Sequence, residues 1–110
     1  MKQKGNAIGV DMSVSATTNG NELVVNIEGR FDFSAHQEFR DCYERIDAEP
    51  ACYVVDLNRT TYLDSSALGM LLLLRDHAGG DNAEVNIVNC NRDVKKILTI
   101  SNFEQLFSIQ

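Results

Sequence analysis

Tyr62-Leu63-Asp64-Ser65-Ser66-Ala67-Leu68-Gly69-Met70-Leu71-Leu72-Leu73-Leu74 is the stretch whose reading decides the fold. It follows an apolar segment, Tyr53 to Leu57, and passes from small, hydroxylated residues into a run that is almost wholly apolar. Ser, Thr, Asn and Asp lead helices because their oxygens accept from the orphan N–H groups of the first turn. Asp64, Ser65 or Ser66 therefore caps a helix that runs on to Gly79-Gly80, where glycine takes the left-handed C-terminal position. The first two turns leave almost no polar sector, although a helix lying on one sheet needs an apolar stripe only ~100° wide. Either a neighbouring helix covers a second side, or this helix shows apolar surface to a partner. Ser65 adds a hydroxyl beside the helix N-terminus, where backbone N–H groups and the helix dipole tolerate negative charge.

Upstream, Cys52-Tyr53-Val54-Val55-Asp56-Leu57 has the pattern of a central strand covered on both faces, and Asn58-Arg59-Thr60-Thr61 reads as a polar loop into the helix. Met12 to Thr17 alternates apolar with polar, as does the set Leu23, Val25 and Ile27. With Asn19-Gly20-Asn21 between them these segments form a hairpin, since Asn-Gly supplies the positive φ of a tight turn. Gly29 to Phe33 reads as a loop. Ser34 with Gln37 three residues on is a capping-box pattern, and Ala35, Phe39, Cys42 and Ile46 share the face of a helix that ends before Pro50. Downstream, Val85 to Val88 is a strand, and Asn91 caps a third helix with Val94, Ile97 and Leu98 on one face. Phe103 to Ile109 reads as a short turn of helix and a short last strand. The order β-β-α-β-α-β-α-β predicts an α/β fold with right-handed crossovers, a mainly parallel sheet of about five strands that starts with an antiparallel hairpin. Residues 1–10 lack periodicity and read as a flexible leader before a single domain over 11–110.

The chain has 110 residues, and a domain of that size buries roughly two-thirds of its unfolded surface, enough for a core without metal or disulfides. A formal charge of −6 removes the broad basic face that nucleic acid requires. No apolar run approaches the ~20 residues of a membrane span, and the N-terminus lacks a secretory pattern, so the expected location is the cytoplasm. Cys42, Cys52 and Cys90 have no metal-ligand spacing and suit no disulfide framework; they read as small buried hydrophobes. His36 and His77 read as surface residues, and Asp56 as a strand-end residue. Phosphate-binding glycine loops, metal-spaced ligands and a nucleophile with a matching base are all missing, so the expectation is a protein without catalytic residues, metal or cofactor.

The run Tyr62 to Leu74 resembles the signature of STAS-domain anti-sigma-factor antagonists, Asp-Ser-Ser/Thr-Gly-Leu-Gly, and Gly29-Arg30-Phe31-Asp32 is similar to their Gly-x-Leu/Phe-Asp loop. Leu63 to Met70 and Ile100 to Leu106 resemble the HsbA-type branch in particular. Ala67 stands where the wider family has glycine, which keeps the site small but narrows how closely a kinase backbone approaches. The resemblance implies a single STAS domain with helices packed mostly on one face. It also implies a partner switch in which Ser65 is the phosphoacceptor and Asp32, Asp64, Ser66, Ala67, Leu68 and Met70 form the partner-binding surface. The implied partners are an anti-sigma factor, a GHKL-type serine kinase related to histidine-kinase ATP-binding domains, and a PP2C-type phosphatase; in the HsbA-type branch they include a response regulator with kinase or phosphatase output and a flagellar-type anti-sigma factor. The implied output bears on motility and biofilm choice. Two rival readings are a receiver domain phosphorylated on Asp56 and a STAS subunit that steadies an ABC-transporter ATPase.

Overall fold

Every second residue of three strands is buried, and that alternation sets the architecture. Leu23, Val25 and Ile27 of β2 (Glu22–Phe31), Tyr53, Val55 and Leu57 of β3 (Cys52–Leu63), and Val85 and Ile87 of β4 (Val85–Val88) all point to one side of a sheet. The computed structural model describes residues 12–46 and 49–110, so the leader read at 1–10 lies outside it. Two further strands, β1 (Met12–Asn19) and β5 (Ser108–Ile109), complete a five-stranded sheet in the order β1-β2-β3-β4-β5. The β1–β2 pair is antiparallel and the other three pairs are parallel, as the element order predicts.

The parallel crossovers are α1 (His36–Glu44), α2 (Ser65–His77) and α3 (Arg92–Ile100). Phe39 and Tyr43 of α1, Met70, Leu71 and Leu74 of α2, and Val94 and Leu98 of α3 join the strand residues in one core. Each large aliphatic or aromatic residue buried there contributes about 1.5–3 kcal/mol of transfer free energy. Asn91 caps α3 as expected, accepting from the Val94 N–H at 2.8 Å. The last segment is a 3-10 turn at Phe103–Gln105 followed by β5. The hairpin turn places Gly20 at φ 65°, with Asn19 paired to Glu22, so Gly20 and Asn21 are the two central residues. Positive φ at the first of them is the demand of a type II′ turn, which glycine meets without steric cost.

Five expectations need correction. The loops read at Gly29–Phe33 and Asn58–Thr61 are largely strand, since β2 runs to Phe31 and β3 to Leu63. Between Asp56 and Tyr62 the β3 chain gains an extra residue against β2 twice, so its buried positions Leu57, Thr60 and Leu63 fall three apart. That spacing hides the period of two, and it places Asp56 inside the strand rather than at its end. The opposite face of β3 is not covered by helices: Cys52, Val54 and Asp56 remain half-exposed among the described residues. Ser34 is not the cap of α1, because Asp32 caps the preceding 3-10 turn (Phe33–Ala35) and α1 has no side-chain cap. The three cysteines are half-buried rather than buried. Burial is the main cause that pushes each of their thiols up, away from the reactive thiolate.

Thr60 is the one buried polar side chain among the described residues, and its Oγ1 donates to the Ile27 carbonyl at 2.7 Å. Ile27 has no partner in the β2–β3 ladder, and Thr60 supplies a donor to the carbonyl that the irregularity leaves there.

Candidate functional site

The two corrected strands matter because they carry two short turns out of the sheet side by side. Phe31 pairs with Leu63 as the last rung of the parallel β2–β3 ladder, so Asp32-Phe33-Ser34 and Asp64-Ser65-Ser66 leave it from equivalent positions. Both aspartates are extended, Asp32 at φ −137°, ψ −169° and Asp64 at φ −118°, ψ −174°. Both act as N-caps. Asp64 accepts from the Ala67 N–H at 3.1 Å and from the Ser66 hydroxyl at 2.6 Å. Asp32 accepts from the Ser34 N–H at 3.0 Å and from the Ser34 hydroxyl. Each turn is thus Asp-x-Ser, the serine two residues on folded back onto the aspartate, with the middle residue exposed.

This arrangement separates three residues that the sequence leaves equivalent. Asp64 is the cap, Ser66 is spent on Asp64, and Ser65 is exposed with no side-chain hydrogen bond among the described residues. Ser65 is also the first residue of a 13-residue helix, where N–H groups and the dipole favour negative charge. Its surroundings are mixed in charge. Arg30 donates to Asp32 at 3.3 Å, and its guanidinium lies 4.6 Å from the centre of the Tyr62 ring. The Ser34 hydroxyl, then the Ser34 N–H, and to a smaller degree Arg30, hold the Asp32 carboxyl below its ordinary value.

The other predicted contact residues divide by burial. Leu68 is half-buried, whereas Ala67 and Met70 lie in the core, fully buried and 4% exposed. Ala67 therefore does not stand in the path of an approaching backbone. The exposed stripe of α2 is Ser65, Gly69, Leu72, Leu73 and Asp76, recurring at helical spacing. A Cβ built on Gly69 would meet nothing within 4 Å, so this position leaves room for close approach from outside. Leu72 and Leu73 are 41% and 54% exposed, so the apolar surplus of α2 is shown outward rather than wholly covered by another helix of the described residues. Two residues are not part of the site in the sequence reading: Phe33, which is 68% exposed and reads there as loop, and Ser34, which reads there as a helix cap. The signal was present as the repeat of Asp-x-Ser at Asp32 and Asp64.

Elsewhere, His77 is exposed and packs on the Tyr43 ring at 4.8 Å, while His36 is half-buried under Phe33. Asp56 accepts from the Asn58 N–H at 2.9 Å and the Asn89 amide at 3.2 Å, on the sheet face away from the helices. No helix of the described residues is long and apolar enough to cross a membrane.

The chain thus builds a mixed five-stranded sheet that offers a capped, leucine-rich helix and a neighbouring aspartate turn at one end. A family model described as "Mlab, STAS domain" matches residues 14–108, and the chain belongs to the STAS-domain family. It is 63% identical over 100 residues to a STAS-domain containing protein of Pseudomonas aeruginosa (strain UCBPP-PA14), covering 89% of this chain and 99% of that one. An anti-sigma factor antagonist from Mycobacterium paratuberculosis has the same fold at a TM-score of 0.75 and 16% identity, over 89% of this chain and 84% of its own. So does a sulfate transporter family protein from Wolinella succinogenes, at 0.70 and 12%, over 84% and 80%. One fold serves different ends in these neighbours, so function has to be argued from the site.

Proposed function

We propose that this protein is an anti-sigma-factor antagonist whose grip on its partner is switched by phosphorylation of Ser65. The observation that carries the reading is that Ser65 is the one hydroxyl of its turn left exposed and unspent, at a helix N-terminus able to carry a phosphate. In its unmodified form the chain binds an anti-sigma factor and releases a sigma factor. A GHKL-type serine kinase, which is in some circuits the anti-sigma factor itself, inactivates it, and a PP2C-type phosphatase restores it. Nucleotide, magnesium and catalytic groups belong to the kinase, and this chain is its substrate. The resemblance to the HsbA-type branch favours a response regulator as carrier of the phosphatase and motility as the output.

The physics of the switch is local. A phosphate adds about −1.5 to −2 charges beside Asp64, with Asp32 just past the end of the adjacent strand and Arg30 paired to that Asp32. A partner surface pressed onto this site then meets added repulsion and a group that is costly to desolvate. The α2 cap survives, because it belongs to Asp64 and not to Ser65.

The test is capture from the organism's own lysate with wild type, Ser65→Ala and Ser65→Asp as bait, together with intact-mass analysis of the native protein. Wild type and Ser65→Ala should retain an anti-sigma factor that Ser65→Asp loses, and a fraction of the native protein should carry the mass of one phosphate at Ser65. Equal capture by all three baits, with Ser65 never modified, would refute the reading. Tight binding of an ABC-transporter ATPase, indifferent to Ser65→Glu, would favour an accessory transport subunit instead.

A further inference from the structure

Phe33 stands in its turn where Ser65 stands in the neighbouring one. Both are the middle residue of an Asp-x-Ser turn, and the turns begin at Asp32 and Asp64, each one step past the paired residues Phe31 and Leu63. Adjacent strands lie about 4.8 Å apart, so anything that covers Ser65 also meets whatever the other turn presents. What it presents is an apolar ring, 68% exposed and held in place rather than loose. The backbone under it is fixed by the two Ser34 bonds to Asp32 and by the Ala35 N–H donating to the Asp32 carbonyl at 3.0 Å. The ring itself stacks on the His36 imidazole, with centroids 5.1 Å apart and planes 20° from parallel. A pre-positioned, exposed aromatic ring loses little conformational entropy on docking, and such residues are frequent anchors of protein interfaces.

We propose that Phe33 is the anchor by which the partner that reads Ser65 grips this domain, its ring seated in an apolar pocket of the anti-sigma factor. The inference rests on the antagonist reading and deepens it. The charge around the ring defines the rest of the pocket. Asp32 and Asp64 each precede the exposed residue of their turn, and Arg30 is paired to Asp32 at 3.3 Å, so two carboxylates stand against one guanidinium and the matching surface is an apolar cup whose rim carries a basic group toward the Asp64 side. Phosphate at Ser65 would then act beside the anchor, within the same few ångströms of interface, and would not need to move any element of the fold.

The decisive measurement is calorimetric titration of full-length protein with purified anti-sigma factors of the same organism, one of the serine-kinase class and one of the flagellar class. Wild type, Phe33→Ala, Phe33→Leu, Ser65→Asp and Ile100→Ala are compared. Ile100 is an equally exposed apolar residue, 70%, on α3, and serves as the control. Phe33→Ala should weaken binding at least tenfold, about 1.4 kcal/mol, Phe33→Leu should recover part of it, and Ile100→Ala should stay within twofold. All variants should share the wild-type circular-dichroism spectrum. If wild type binds and Ser65→Asp weakens it, but Phe33→Ala stays within twofold or matches Ile100→Ala, the anchor is refuted and the switch stands. If wild type binds neither factor, the antagonist reading falls and takes the anchor with it.

Discussion

Replacing Asp64 by alanine and by asparagine separates what this residue does for the fold from what its charge does at the surface. Alanine removes the acceptor of the Ala67 N–H and of the Ser66 hydroxyl. Losing an N-cap costs about 1 kcal/mol, with a range of ~0.5–2, and releasing the half-buried Ser66 hydroxyl adds up to roughly 0.5–1.5, giving about 1.5–2.5 kcal/mol in total. With an m value of about 1–1.5 kcal/mol/M in urea for a domain of this size, the midpoint should fall by roughly 1–2.5 M. Asparagine keeps an oxygen in the same place and ranks level with aspartate as a cap. It loses only the charge–dipole attraction, about 0.3–1 kcal/mol. Asp64→Asn should therefore cost clearly less than Asp64→Ala, with equal m values for both. Urea titrations followed by circular dichroism read the difference. Equal losses for the two variants, or an alanine variant as stable as wild type, would show that Asp64 does not cap α2. If the expected order is found, any effect of Asp64→Asn on partner binding belongs to the missing charge.

Thr60→Val removes the donor to the Ile27 carbonyl inside the sheet while keeping the side-chain shape, and should destabilise the domain by about 1–3 kcal/mol, read as a lower urea midpoint; an unchanged midpoint would mean that water reaches this carbonyl. Asp32 is held below its ordinary carboxylate value of 3.8, chiefly by the Ser34 hydroxyl. A depressed folded-state pKa gives a stability contribution that is fully present above the unfolded value and fades as pH falls through the folded one. Carboxyl-carbon NMR should accordingly find Asp32 titrating below 3.8 in wild type and moving upward in Ser34→Ala. A downward or absent movement would contradict the assignment of cause.

Much of this protein was legible from local chemistry. The alternation in β2, the Asn91 cap, the placement of α2 between Asp64 and the glycines, and the order of elements all depend on neighbours in sequence. These features follow from backbone sterics and capping, which act over a turn or two of chain. What the chain alone left open depended on partners far away in sequence. Two extra residues in β3 turn a polar stretch into strand, because Thr60 and Leu63 become buried against β2 at a spacing that no periodicity test detects. The choice among Asp64, Ser65 and Ser66 was also beyond local rules, since all three are good caps and only the folded geometry spends two of them and leaves one. The pairing of Phe31 with Leu63 decided the rest: a contact across 32 positions sets Phe33 beside Ser65, and a strand register is settled by the packing of a whole sheet face rather than by any short motif.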